Sequence, residues 1–354
     1  MMQIAVIPGD GIGIEVIREA AKALEAASRA SGFRLKLDTY DYGAERFLRT
    51  GETLPAGDME RLKGYDAILL GALGDPRVPD MKHAADILLG LRFGLDLYVN
   101  YRPIRLLDER LCPLKGRGVG DVNFVVFREN TEGLYVGVGG IFKKGTPEEI
   151  AVQEDINTRK GVERIIRHAF QYAAARQLKR VVMSDKSNVL TYGHDLWQRV
   201  FRSVAAEHPE IEARHLYVDA LTMQMIKDPS QFQVIVTCNM FGDIITDLGA
   251  QLQGGLGMAA SGNIHPGKVS LFEPVHGSAP KYAGQDVANP FGAILTAALM
   301  LEHLGKQEEA RRIESAVVAC IRTASTPREL GGAMGTRAVG EAVVREILAP
   351  SHPA

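Results

Sequence analysis

The regular alternation of short apolar runs with longer amphipathic stretches most limits the folds open to this chain. Residues 4–7, Ile-Ala-Val-Ile, form a run of strand length, and a helical 3.6-residue pattern follows over about 14–30. A second run at 66–70 precedes another helical pattern at about 84–93. Strands that are apolar at every residue need cover on both faces, and intervening helices supply it. The expected class is therefore α/β with a largely parallel sheet. Runs at 122–127, 180–183 and 234–237 also read as buried strands, and 289–303 and 308–324 read as helices. Between the first two of these strands the pattern changes. A glycine-rich stretch at 134–140 and an alternating one at 150–156 predict a β-hairpin arm over about 136–157. Such an arm has little core of its own, so it either lies in solvent or pairs with a partner chain. These changes divide the chain into one domain of residues 1–99 plus 255–354 and a second of 100–254.

A length of 354 residues suits two domains. The formal net charge of -2 leaves no electrostatic footprint for nucleic acid or an anionic membrane. No run approaches the roughly 18 apolar residues of a membrane span. The first apolar run begins with no basic leader before it. Three cysteines, Cys112, Cys238 and Cys320, have no metal-like spacing, and their odd number fits a reducing compartment. The expectation is a soluble, cytoplasmic protein.

The strongest chemical signal is Asn239-Met240-Phe241-Gly242-Asp243-Ile244-Ile245-Thr246-Asp247, where a strand gives way to a helix. Asp243 and Asp247 stand at i and i+4 and so share a helix face, where like charges repel unless cations or a metal lie between them. Carboxylate oxygens in that arrangement suit Mg²⁺ or Mn²⁺. Taken alone, the pair also reads as a solvated helix face with Asp243 favouring the helix N-terminus. Asp219 lies at another expected strand end and could complete a carboxylate site. Arg92, Arg102 and Arg128 each lie near an element boundary; singly they read as surface charges, together as a bidentate clamp for a dicarboxylate. Tyr135 and Lys186 follow buried strands and could move protons, or could belong to polar capping loops. The turn Pro8-Gly9-Asp10-Gly11-Ile12-Gly13 lacks the spacing of a Rossmann fingerprint and keeps only the backbone freedom that lets a ligand approach. Phe272-Glu273-Pro274-Val275-His276-Gly277-Ser278-Ala279-Pro280 is a second punctuated loop, with a histidine able to stack or hydrogen-bond.

In this order, over nearly the whole chain, these pieces resemble the β-decarboxylating dehydrogenases that act on isopropylmalate, isocitrate, homoisocitrate and tartrate or D-malate. The segments Gly242-Asp243-Ile244-Ile245-Thr246-Asp247 and Glu273–Pro280 carry most of the likeness. The resemblance implies a two-domain, non-Rossmann α/β fold and a homodimer with shared sites. It implies a malate clamp of Arg92, Arg102 and Arg128. It also implies Mg²⁺ or Mn²⁺ held by Asp243 and Asp247 with Asp219 of a second subunit. Tyr135 would protonate an enolate, and Lys186 of the second subunit would assist removal of the hydroxyl proton. The cofactor, NAD⁺ or NADP⁺, would lie along Ile12, Gly71, Ala72, Leu73, Glu273, His276, Gly277, Ser278, Ala279 and Asn289.

Two positions depart from the commonest pattern. Where NAD-linked members carry an acidic residue, this chain has Lys281-Tyr282, similar to NADP-linked isocitrate dehydrogenases. That tilts the expectation towards NADP⁺, although Thr326-Pro327-Arg328-Glu329-Leu330-Gly331-Gly332 is similar to the NAD-linked isopropylmalate type. Before Arg92 stand Leu88 and Leu89, similar to the apolar lining of isopropylmalate enzymes, so the expected substrate is 3-isopropylmalate, with tartrate or D-malate next. A catalytically silent relative would have lost one of Tyr135, Lys186 or the three aspartates, and all are present.

Overall fold

The structure is a computed structural model that describes residues 1–55 and 57–349. Its strands are Met2–Gly9 (β1), Leu35–Thr39 (β2), Ala67–Ala72 (β3), Val99–Arg105 (β4), Asn123–Glu129 (β5), Gly139–Phe142 (β6), Ile150–Gln153 (β7), Arg180–Asp185 (β8), Glu212–Tyr217 (β9), Val234–Thr237 (β10), Ala260–Ile264 (β11) and Ser270–Pro274 (β12). Two compact units result: Met1–Leu97 with Leu106–Val119 and Ala250–Ala354, and Tyr98–Arg105 with Gly120–Gly249. Residues 106–119, inside the segment expected to form the second domain, belong to the first unit. Residues 350–354 of the expected first domain lie outside the described residues.

In the first unit the strands run β2-β1-β3-β12-β11, parallel except for the antiparallel β11–β12 pair. Ile4, Ala5, Val6 and Ile7 are all buried, as a strand covered on both faces requires. Ala5 and Ile7 join Ile68 and Leu70 of β3, Leu271 of β12, and Ile87 and Leu91 of the helix Lys82–Gly94 in one apolar cluster. By the two-residue alternation of a strand, Ile4 and Val6 face the other side. The helix Gly13–Ser31 buries Val16, Ile17, Ala20, Ala23, Leu24 and Ala27, a 3.6-residue stripe, and ends where Gly32 turns left-handed at φ 73°.

In the second unit the order is β4-β5-β10-β8-β9, with β4 antiparallel to β5 and the other pairs parallel. The C-terminal ends of β5, β10, β8 and β9 therefore lie along one edge of this sheet, where open α/β sheets gather their ligand-binding residues. The expected arm is present as the antiparallel pair β6–β7, with Ile141 opposite Ala151 and Phe142 opposite Ile150. Every residue of both strands is exposed. Among the described residues no helix is long and apolar enough to cross a membrane.

Candidate active site

The centre of the second unit's strand edge is the carboxylate of Asp243. Asn100 of β4 is opposite Arg128 of β5, and Arg102 is opposite Val126, so the two arginines are diagonal neighbours on one face of the ladder. β10 pairs with β5 so that Thr237 is level with Arg128, and the helix Asn239–Leu252 follows at once. Asp243, in that helix's second turn, therefore meets both guanidinium groups. Its Oδ1 accepts from Arg102 Nη2 at 3.2 Å and from Arg128 Nη1, while its Oδ2 accepts from the Tyr135 hydroxyl at 3.1 Å. Arg128 also donates to Asn239 Oδ1 through Nε at 3.0 Å and Nη2 at 2.6 Å, and its guanidinium lies 5.3 Å from the centre of the Tyr135 ring. Both arginines are buried, yet the Asp243 side chain keeps 41% exposure, so the cluster opens to solvent on the carboxylate side. A Cβ on Gly242 would sit 2.5 Å from Cβ and Cγ of Arg128, which explains why glycine stands there.

Burial and the Asp243 charge push the Tyr135 pKa above its ordinary value, outweighing Arg128 and Arg102. Tyr135 is thus a neutral phenol, a proton donor rather than a resting phenolate. Burial, reinforced by Asp243, likewise pushes the Asp247 carboxyl above its ordinary value. A carboxyl whose proton affinity is raised by a neighbouring carboxylate makes, with that neighbour, a donor set that a hard divalent cation would relieve.

Asp219 does not join them within one chain. It lies in the first turn of the helix Val218–Lys227 after β9, and Lys186 follows the neighbouring β8. Lys186 Nζ contacts Asp219 Oδ1 at 2.7 Å, and that contact holds the Asp219 carboxyl below its ordinary value. Among the described residues no group of three or more His, Cys, Asp or Glu side chains is assembled to hold a metal.

In the first unit the C-terminal ends of β1, β3 and β12 converge. Gly9, at φ 74°, would place a Cβ 2.1 Å from the Ala72 carbonyl oxygen, and Gly11, at φ 57°, one 2.0 Å from that of Ser278. These glycines let Asp10 N–H donate to Ala72 O at 2.7 Å and Ile12 N–H to Ser278 O at 2.8 Å. Ile12, Ala72 and Ser278 are therefore brought together, with Gly71 in the same strand end and Leu73 just beyond it. His276 Nδ1 donates to the Gly277 carbonyl at 3.0 Å, leaving Nε2 a buried acceptor without a partner among the described residues; burial holds this imidazole below its ordinary pKa. Asn289 caps the helix Phe291–His303, its Oδ1 accepting from Phe291 N at 3.0 Å. Lys281 and Tyr282 are exposed, with the ammonium 4.6 Å from the ring centre.

Arg92 belongs to this unit. It is buried, and its Nη2 donates at 3.0 Å to Oε1 of Glu273, which also accepts from Asn263 Nδ2 at 2.8 Å. Glu273, expected along the cofactor, is thus Arg92's counter-charge. Leu88 packs against the core cluster, whereas Leu89 is half-buried outside it. The two leucines before Arg92 are therefore not equivalent.

A model of the isocitrate/isopropylmalate dehydrogenase family matches residues 3–343. The chain belongs to this family. A 3-isopropylmalate dehydrogenase of Thermobifida fusca is 48% identical, covering 98% of this chain and 98% of its own length. One of Streptomyces griseus subsp. griseus is 49% identical over 95% of this chain and 98% of its own. Among solved structures, an isocitrate dehydrogenase from Methylococcus capsulatus superposes with a TM-score of 0.90 at 38% identity, covering 99% of this chain and all of that one.

Sequence reading of this isocitrate/isopropylmalate dehydrogenase family member missed Asp10 as an organising residue. Its buried carboxylate accepts Ala44 N–H at 2.7 Å and Gly74 N–H at 2.8 Å and faces His83 Nε2 at 2.9 Å, tying the glycine turn to two other loops. An aspartate between two glycines was the available signal. Thr246 was missed too: its hydroxyl accepts from Arg102 Nη1 at 2.5 Å, and its place one turn beyond Asp243 could have marked it.

Proposed function

We propose that the chain catalyses metal-dependent oxidative decarboxylation of 3-isopropylmalate, passing a hydride to NAD⁺ or NADP⁺, as a cytoplasmic homodimer. The carrying observation is the convergence of Arg102, Arg128 and Tyr135 on one half-exposed carboxylate, Asp243, in a chain 48–49% identical to 3-isopropylmalate dehydrogenases over nearly its full length. Asp243 and Asp247 would hold Mg²⁺ or Mn²⁺ together with Asp219 from a second copy. Bound there, such an ion would lower the pKa of the substrate's 2-hydroxyl and favour negative charge on the substrate as CO₂ is lost. Arg92, Arg102 and Arg128 bind the carboxylates of the malate moiety, where a planar fork of donors gives bidentate contacts. Lys186 takes up the hydroxyl proton, and its contact with Asp219 supports both groups serving the same site from one subunit. Tyr135, a neutral phenol, returns a proton to the enolate carbon. The nicotinamide cofactor lies along Ile12, Gly71, Ala72, Leu73, Glu273, His276, Gly277, Ser278, Ala279 and Asn289. Lys281 and Tyr282 favour NADP⁺, since an ammonium suits a 2′-phosphate. The exposed apolar residues Ile141, Phe142, Ile150 and Val152 of the β6–β7 arm support its pairing with a second copy.

A second reading, isocitrate as substrate, draws on the 38% identical isocitrate dehydrogenase structure; tartrate and D-malate test the rest of the family's range. The deciding experiment follows absorbance at 340 nm and CO₂ release with 3-isopropylmalate, D-malate, tartrate and isocitrate, each with NAD⁺ and with NADP⁺. The highest kcat/KM on 3-isopropylmalate is the expected result. Isocitrate as the best substrate overturns the substrate assignment, and no cofactor reduction with any of the four overturns the reaction.

A further inference from the structure

We infer that His194 is a positioning residue for Lys186, acting through a hydrogen bond to the lysine's backbone rather than to its amine. The inference rests on the proton-transfer role proposed for Lys186. Lys186 N–H donates to His194 Nδ1 at 2.8 Å, across eight residues of chain. The Lys186 carbonyl accepts from Val189 N–H at 3.0 Å and Leu190 N–H at 2.8 Å, so both backbone polar groups of the lysine are fixed. The preceding residue is held as firmly. Buried Asp185 accepts Ser187 N–H at 3.0 Å, Gln198 Nε2 at 2.7 Å and His215 Nε2 at 2.8 Å. With the backbone set, the lysine side chain extends to Asp219.

A histidine suits this task for a chemical reason. A ring nitrogen that accepts an N–H cannot carry a proton, so the His194 proton sits on Nε2 and the ring is neutral. Burial favours the same state by holding the imidazole below its ordinary pKa. The His194 ring also meets Phe241 edge-on, with centres 5.4 Å apart and planes at 81°. Phe241 lies two residues before Asp243 on the helix Asn239–Leu252. One imidazole therefore touches both the Lys186 turn and the helix bearing two expected metal ligands. A ring buried for packing alone would not have to present its acceptor to the N–H of the proton-transfer residue.

The test measures kcat, KM and the primary isotope effect with substrate deuterated at C2 for His194→Phe, His194→Asn, Lys186→Met and the double variant of His194→Phe with Lys186→Met. Removing the acceptor while keeping an aromatic ring of similar size should lower kcat by about 10- to 100-fold, because small misplacements of a proton-transfer group carry penalties of that order. The KM values for substrate and Mg²⁺ should stay within about twofold, and the isotope effect should rise as the oxidation step becomes limiting. His194→Asn, which keeps an acceptor, should recover part of the loss. Adding His194→Phe to Lys186→Met should cost nothing further, since residues acting through one group are not additive. An equal fold-loss in both backgrounds, or wild-type kcat in His194→Phe beside an inactive Lys186→Met, overturns the His194 inference alone. Wild-type turnover by Lys186→Met overturns the lysine assignment itself. If the phenylalanine variant does not fold, His194→Ala carries the same comparison.

Discussion

Truncating Leu89 should change what the enzyme selects, and truncating Leu88 should change only how stably it folds. The two side chains are adjacent on the helix Lys82–Gly94, four and three residues before Arg92, so by spacing alone both share its face. Leu88, however, packs against the cluster of Ile87, Leu91 and the β1–β3 core, while Leu89 is half-buried outside it. Leucine to alanine removes three carbons, and at about 0.8 kcal/mol per buried methylene-sized group the ceiling is about 2.4 kcal/mol. A side chain that covers the substrate's isopropyl group from one side realises about 1–2 kcal/mol of this. Leu89→Ala should therefore lower kcat/KM for 3-isopropylmalate about 5- to 30-fold. Activity on D-malate, which has no isopropyl group, should stay within about twofold. Leu88→Ala should leave the ratio of the two substrates near its native value and lower stability by about 1–3 kcal/mol, below the usual range for a fully buried leucine because Leu88 is only partly buried. The measurements are kcat/KM for both substrates and urea unfolding for both variants. If Leu89→Ala leaves the substrate ratio unchanged, or Leu88→Ala shifts it more, the assignment of Leu89 to the C3 substituent is wrong.

Replacing Asp247 with asparagine should weaken Mg²⁺ binding, read by calorimetric titration, by about an order of magnitude or more, because a carboxylate ligand is lost. Full activity in excess chelator would sink the metal assignment. Lys281→Asp should move the ratio of NADP⁺ to NAD⁺ efficiency towards NAD⁺ by about fivefold or somewhat more, a modest shift because the ammonium is exposed. A native enzyme with a strong NAD⁺ preference that the substitution leaves untouched refutes the idea. At pH 8 iodoacetamide should label half-buried Cys112 and spare the other two cysteines in the native protein, since burial pushes Cys238 up to about 12 and Cys320 up to about 11. Native labelling of Cys238 at the rate of Cys112, followed by peptide mass spectrometry, contradicts this.

Local periodicity determined much of this molecule. The helix Gly13–Ser31 was legible from its repeating buried stripe, and the strand Val234–Thr237 and the helix Phe291–His303 from uninterrupted apolar runs, because within one element sequence distance and spatial distance are tied. The shared face of Asp243 and Asp247 was legible for the same reason. Pairing between elements was not. Arg128 reaches Asp243 across 115 residues because β10 lies beside β5, and Asp219 meets Lys186 because β9 lies beside β8. Strand order and register are set by which apolar faces pack together over the whole unit, and no window of sequence contains that information. The same holds for Leu88 and Leu89: identical in chemistry and adjacent in sequence, they differ only in what stands opposite each. His194 and Asp10 show the limit most sharply, since each matters through backbone N–H groups that tertiary folding alone delivers to its side chain.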